Sequence, residues 1–389
     1  MIADRCARLK PFYVMEILER AKELEKYGRE IIHLEIGEPD FDTPQCVKRA
    51  AREAMERGET HYTHSLGILE LRQAVSRHYK KTYGVEVDPD QVLITSGTSP
   101  AMFMLFAALL HPGDEVILPD PHYACYPGFI CFSAGVPVKI RVSQESGFQL
   151  SPMEVSSHIS PRTRALFINS PSNPTGNLTP PEILEQLAGL GPWVVSDEIY
   201  HGLVYKGKEH SVLEFTDRAF VLNGFSKLYA MTGWRLGYLI APEEYVRTLQ
   251  IVHQNFFISA NSVAQRAGIA ALEEAGPDVR HMKQVYNQRR EYMLKRLTGM
   301  GFVVTVEPTG AFYILANASF LSNKSYDLAF DILEKAGVGV TPGIDFGDGA
   351  EGFLRFSYAN SLENIEKGMD RLEEYISKRG RAIKEAARA

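Results

Sequence analysis

An α/β fold built on a mainly parallel seven-stranded sheet is predicted by two features of this sequence. From about Thr43 to Glu274, short apolar runs alternate with helical stretches: QVLITSG, EVILPDPHY, VPVKIRV, RALFINS, WVVSDEIY, AFVLNGF and RLGYLIAP. That alternation implies parallel strands whose crossover helices bury both faces of the sheet. Several of these runs also break into polar residues at their carboxyl ends, where open α/β sheets bind ligands. At 389 residues the chain is long for one core, so a large domain with a smaller one packed against it is expected.

The first residues, MIADRCARLKPF, carry Asp4, Arg5, Arg8 and Lys10 where a signal peptide needs an apolar core. QVLITSG leads through SGTSP into AMFMLFAALL, Ala101 to Leu110, which is too short to span a bilayer and reads as a buried helix. Between strand and helix, the backbone N–H groups of Gly97, Thr98 and Ser99 point at a helix-N-terminal anion site. Read alone, the same segment is an ordinary helix cap. RALFINSPSNPTG breaks into a Pro-rich turn presenting Asn173, and WVVSDEIY presents Asp197 and Tyr200. GLVYKGKE, Gly202 to Glu209, matches a phosphate loop up to its lysine. Glu209, however, replaces the Ser or Thr that would hold magnesium, so a β-rich hairpin is expected there.

AFVLNGF is bounded by Gly224, which puts Ser226 and Lys227 at the end of a buried strand, and Arg235 follows eight residues after Lys227. A lone lysine is usually a solvated point charge. An amine fixed beside a guanidinium instead suits a ligand with an aldehyde and a phosphate, which makes Lys227 a candidate Schiff-base lysine. A helix from about Pro277 to Met300 then leads to VVTVEPTGAFYILAN, the helix SYDLAFDILEKAG and the strand GFLRFSYA, a smaller α+β region. Alternation in that strand puts Phe353, Arg355 and Ser357 on one face, and a guanidinium buried there needs an anion. In the last helix Ile365, Met369, Leu372 and Ile376 form one apolar stripe, and the tail after Lys378 reads as loosely held.

Hydrophobic residues at 45% and charged residues at 23% are ordinary for a soluble globular protein. A net charge of −6 argues against nucleic-acid or anionic-membrane partners, and a cytoplasmic protein is expected. Cys6, Cys46, Cys125 and Cys131 are scattered without a CxxC pair or a His cluster, so no metal site is expected. No GxGxxG follows a strand, and Gly224-Phe225-Ser226 lacks the second glycine of a nucleophile elbow because Leu228 stands there.

With Asn173, Asp197, Tyr200, Ser226, Lys227 and Arg235 in view, the chain resembles the fold-type I pyridoxal-phosphate enzymes, most closely the class I aminotransferases, from about Pro39 to Tyr358. The resemblance implies a large cofactor-binding domain over 43–285 and a small domain made of 1–42 and 286–389. It implies that Lys227 forms the Schiff base and moves the substrate proton, and that Asp197 holds the pyridine nitrogen protonated. Asn173 and Tyr200 are then expected at the ring's phenolic oxygen and Tyr123 stacked on the ring. Gly97, Thr98, Ser99, Ser226 and Arg235 are expected at the phosphate, joined by Tyr62 from a neighbouring subunit, which makes the active unit a homodimer with shared sites. Arg355 is expected to grip the substrate α-carboxylate, with Gly37 and Asn173 beside it. The reaction implied is transfer of an α-amino group from an L-amino acid to a 2-oxo acid. Because SGTSPAM offers Ser99 and Pro100 and no lysine, while KPFYVMEIL offers Val14 and Met15, a neutral or hydrophobic donor is expected. The alternatives are an aspartate aminotransferase, a lyase performing β-elimination on the same fold, and a non-catalytic ligand-sensing module. The last is disfavoured because Pro11 already lies in family-like sequence.

Overall fold

The computed structural model describes residues 3–7 and 9–386. Its central sheet contains β2 (Val92–Thr95), β3 (Glu115–Asp120), β4 (Val136–Arg141), β5 (Thr163–Asn169), β6 (Trp193–Asp197), β7 (Ala219–Gly224) and β8 (Gly237–Ile240). A short strand, β1 (Ile32–His33), precedes them. The spatial order is β2-β8-β7-β6-β5-β3-β4. All seven expected strands are present. Pairing is parallel from β7 through β6, β5 and β3 to β4, whereas β8 is antiparallel to both β7 and β2. Two antiparallel steps bring β2 back parallel to β7, so the carboxyl ends of β2, β5, β6 and β7 share one edge.

Successive residues of each strand enter opposite cores, as a two-residue period requires. Ile94, Ile117, Val194 and Val221 pack under the helices Gln45–Glu56 and Leu69–Tyr83, with Val47, Leu71 and Val75. Leu93, Val116, Val195 and Phe220 pack on the other face with Met104 and Leu105 of the helix Thr98–Leu109. Each such side chain contributes about 1.5–3 kcal/mol of burial. Because both faces are covered, nothing but the strand ends is left to carry polar chemistry.

A second, antiparallel sheet orders β11 (Thr341–Pro342), β12 (Phe353–Ser357) and β9 (Tyr313–Asn317). Here β1 pairs in parallel with β10 (Val338–Gly339), which joins the N-terminal segment to the C-terminal elements. Their core includes Ile17 and Ala21 from the helix Tyr13–Lys26, Tyr286 and Met293 from the helix Gly276–Gly299, and Ile365, Met369 and Leu372 of the last helix. That helix runs as Leu362–Ala386, beyond the point where a loose tail was expected, and 387–389 lie outside the described residues.

The hairpin expected over Gly202 to Glu209 does not form. Val204 makes an isolated antiparallel bridge to Gly310, Tyr205 N–H donates to the Thr309 carbonyl at 2.8 Å, and Ala311 N–H donates to Leu203 at 2.9 Å. The backbone groups of this segment are satisfied by a distant loop, so it has no need to fold on itself. Among the described residues, no helix is long and apolar enough to cross a membrane.

Candidate active site

The shared sheet edge opens into a cavity of about 450 Å³. Lys227, Asp197, Tyr200, Asn173, Ser226, Arg235, Arg355, Tyr123, Thr98, Ser99 and Gly37 all line it, so residues scattered over 319 positions of sequence meet in one space. The short loops after β5, β6 and β7 explain this convergence: each strand ends within four residues of the side chain it delivers.

Lys227 Nζ donates to the Gly37 carbonyl at 2.6 Å. Loss of hydration lowers its pKa to about 8; the charges of Glu38 and Asp197 pull the other way, and Arg355 and Arg235 add to the lowering. An amine at that value is about a tenth neutral at pH 7, a useful fraction for a nucleophile. Asp197, at the end of β6, is buried. Its carboxylate accepts from Tyr126 Oη at 2.7 Å and from Ile199 N–H at 3.1 Å. Desolvation raises the carboxyl to about 6, and among the described residues no cation forms a salt bridge with it. The environment therefore favours a positively charged ligand group at that oxygen.

The Asp197 environment has a measurable consequence in ligand-free protein. Its folded pKa, about 6, lies above the ordinary value of 3.8. This group's contribution to stability is thus present below the unfolded value and is lost as pH rises through about 6. Asp197→Asn, which cannot ionise, is expected to gain roughly 2–3 kcal/mol relative to the unaltered chain between pH 4 and pH 7. Denaturant midpoints of the two proteins across that range check this, and a constant difference would refute it.

Arg355 projects from β12 into the same space and is 3% exposed. It donates to Asn173 Oδ1 at 3.0 Å, to the Glu35 carbonyl at 2.6 Å and to Thr341 Oγ1 at 3.0 Å. The guanidinium lies 4.3 Å from the centroid of the Tyr313 ring. Its Nε is buried without a partner, and among the described residues no carboxylate forms a salt bridge with it. A buried cation held only by neutral groups is poised for an anionic ligand. Asn173 is itself fixed by its N–H, which donates to Asn169 Oδ1 at 2.8 Å.

Around β2, Gly97 caps the helix Thr98–Leu109 at φ +93°. That φ favours glycine, and a Cβ there would lie 2.5 Å from Arg235 Nη2 and displace the guanidinium. The first N–H groups of the helix have no intrahelical acceptor, and with Arg235 they form a strongly electropositive corner. Arg235 sits in the left-handed region at φ +51°, with its Nη1 donating to the Thr232 carbonyl at 3.0 Å. Holding a non-glycine residue there costs free energy that the surrounding structure must over-determine. Tyr123 meets Tyr126 edge-on at 5.3 Å.

Two expected residues lie outside the lining: Gly97, which sits behind it against Arg235, and Tyr62. Tyr62 lies on the connection between two helices and is 81% exposed. Conversely, the sequence reading missed Tyr126 and Tyr313. Tyr313 Oη lies 3.0 Å from Tyr200 Oη, and a Cβ on Gly37 would meet that Tyr313 hydroxyl. Tyr126 opens the helix Tyr126–Phe132 three residues after Tyr123, and that nearness in sequence was the available signal. Tyr313 gave none, since an aromatic in an apolar strand reads as core. Among the described residues no group of His, Cys, Asp and Glu could hold a metal ion.

A family model described as aminotransferase class I and II matches residues 29–372. A relative from Methanocaldococcus jannaschii, named (5-formylfuran-3-yl)methyl phosphate transaminase, is 40% identical over 97% of this chain and 100% of its own length. The aspartate aminotransferase of Pyrococcus horikoshii is 39% identical over 96% of this chain and 97% of its own. Among solved structures, the aspartate aminotransferase of Thermus thermophilus with maleate superposes with a TM-score of 0.93 at 39% identity, covering 96% of this chain and 99% of that one.

Proposed function

The chain belongs to the class I and II aminotransferases, and from that premise we propose that it uses pyridoxal phosphate on Lys227 to move the α-amino group of a neutral or hydrophobic L-amino acid to a 2-oxo acid. Aminotransferases of this class are generally pyridoxal-phosphate-dependent, and the residues fit that group. The fit is supported by the desolvated Lys227, the unpaired buried carboxylate of Asp197, the glycine under Arg235 and the orphaned Nε of Arg355. When bound, the cofactor supplies an aldehyde for the substrate amine and a ring that accepts electron density from the α-carbon.

The protein's own part is positioning and proton movement. Arg235, Ser226 and the N–H groups of Gly97, Thr98 and Ser99 would hold the phosphate. Asp197, oriented by Tyr126, would keep a proton on the ring nitrogen. Asn173 and Tyr200 would hydrogen-bond the phenolic oxygen, and Tyr123 would stack on the ring. Arg355 would take the substrate carboxylate beside Gly37 and Asn173, leaving the α-carbon near Lys227. Lys227 Nζ, with its pKa lowered to about 8, would take the proton from the substrate α-carbon and deliver it to the cofactor carbon that receives the amino group. We divide the chain into a large domain over 43–285 and a small domain of 1–42 with 286–389, and read it as cytoplasmic.

The single observation carrying the donor preference is the apolar wall of Phe12, Val14, Met15, Leu18 and Ile36 on one side of the cavity. A second carboxylate entering there would lose hydration without a cation, whereas each buried CH₂ contributes about 0.8 kcal/mol. Relatives named for aspartate favour the opposite reading. Comparing kcat/KM for aspartate, alanine, leucine and phenylalanine decides: the apolar wall predicts that a neutral donor leads, and a preference for aspartate of about a hundredfold, roughly 2.7 kcal/mol, would overturn it. Relatives named as aminotransferases do not favour the lyase alternative.

Assembly as a homodimer with shared sites is the remaining part of this reading. Thr63 N–H donates to Ser259 Oγ at 3.4 Å, which brings the segment of Tyr62 against that of the exposed Phe256 and Ile258. An exposed apolar group of this kind suits a second copy of the chain. Tyr62→Ala and Lys227→Ala, each inactive, are expected to regain activity when refolded together, up to about a quarter of normal if dimers mix at random and one intact site forms per mixed dimer. Near-normal activity of Tyr62→Ala alone would remove the cross-subunit role.

A further inference from the structure

A second cavity, of about 500 Å³, lies directly behind the first. Phe12 lines both. Adjacent residues divide between them at three places: Val14 lines the substrate cavity and Tyr13 the other, Met102 the first and Phe103 the second, Tyr123 the first and Ala124 and Cys125 the second. The wall is therefore one residue thick. Its inner surface includes Leu9, Phe129, Phe132, Pro137 and Ile344, a lining suited to an apolar guest. Phe12 meets Tyr123 only edge-on, with ring centroids 6.0 Å apart, and it precedes the first turn of the helix Tyr13–Lys26 without a side-chain cap. The backbone beneath it is anchored separately. Asp345 accepts from Tyr13 N–H at 2.9 Å and from Val14 N–H at 3.2 Å. The Phe12 ring can therefore turn aside while the strap that carries it stays in place.

We propose that the cavity behind Phe12 is a distal subsite of the substrate site, taking the far end of amino donors with long unbranched or aryl side chains. Phe12 serves as the partition between the two compartments: closed over short donors, it keeps water from the reacting carbon, and displaced by long ones, it admits them. The inference rests on the neutral-donor aminotransferase reading above. Lys10, Lys139, Asp345 and Asp348 also line the second cavity, so its polar groups carry both signs and select no single charge.

The test is kcat/KM of the cofactor-loaded enzyme for alanine, norvaline, norleucine and 2-aminooctanoate. In the unaltered enzyme the value is expected to keep rising through 2-aminooctanoate, by up to about fourfold for each added CH₂. Ala124→Phe, which fills only the second cavity, is expected to lower the ratio of 2-aminooctanoate to alanine at least tenfold. Gly128→Leu narrows the same space from its other side, where an added Cβ would meet only Leu9 at 3.4 Å, and it substitutes for the first variant should that fail to fold. Ratios within twofold of the unaltered enzyme in the folded variant overturn the subsite while leaving the aminotransferase reading intact. Absence of turnover with every neutral donor overturns the donor reading and the subsite with it.

Discussion

Lys227→Ala is expected to lower turnover by about 10⁴-fold or more, because one side chain acts as both the attachment point and the proton carrier. Among the described residues no other lysine lines the cavity, and Arg235 and Arg355 cannot deprotonate to take over. The variant is expected to keep its affinity for the cofactor's phosphate, since Ser226, Arg235 and the helix start at Thr98 are untouched. Lys227→Arg is expected to be as inactive as the alanine variant, which separates loss of the proton carrier from loss of charge. Steady-state rates together with cofactor stoichiometry check both points. Turnover above about a hundredth of normal in Lys227→Ala would contradict the assignment.

Arg355→Leu is expected to cost about 10²–10³-fold in kcat/KM, in line with roughly 3–4 kcal/mol for removing one partner of a buried charged pair. The loss is expected mainly in KM, with a smaller change in kcat from mispositioning of the α-carbon. A carboxylate-free control isolates the interaction: 3-methylbutylamine, the amine of decarboxylated leucine, should lose almost nothing. Equal losses for leucine and this amine would assign Arg355 a packing role beside Tyr313 and Phe346, whose ring centroids lie 4.3 and 5.0 Å from its guanidinium.

The strands of the large sheet were legible because burial on both faces writes continuous apolar runs, and the residues just after those runs were legible because they interrupt the pattern. Lys227, Asp197 and Asn173 stand out for that reason, and all three line the cavity. Residues that support them are silent, since their local pattern is already explained by packing. Tyr126 packs on Phe167 at 4.1 Å while its hydroxyl reaches Asp197, and only the first of these contacts leaves a trace in sequence. The role of Glu35 is equally hidden, because its backbone carbonyl, which any residue possesses, is what accepts from Arg355. The segment at Gly202 misled in the other direction: its apparent turn chemistry serves a bridge to Gly310, a pairing too distant in sequence for local propensity to reveal. The second cavity was illegible altogether, being formed where the N-terminal strap crosses a helix more than a hundred residues later.

The claim on which the whole reading depends is that Lys227 carries the cofactor. Reduction of the purified, cofactor-loaded protein with borohydride, followed by proteolysis and mass mapping, tests it without relying on any substrate. The expected result is one phosphopyridoxyl-lysine per chain, located at Lys227 in the peptide containing SKLYAMTGWR. A stoichiometric label on any other lysine, or none on protein that retains its cofactor, would contradict the account.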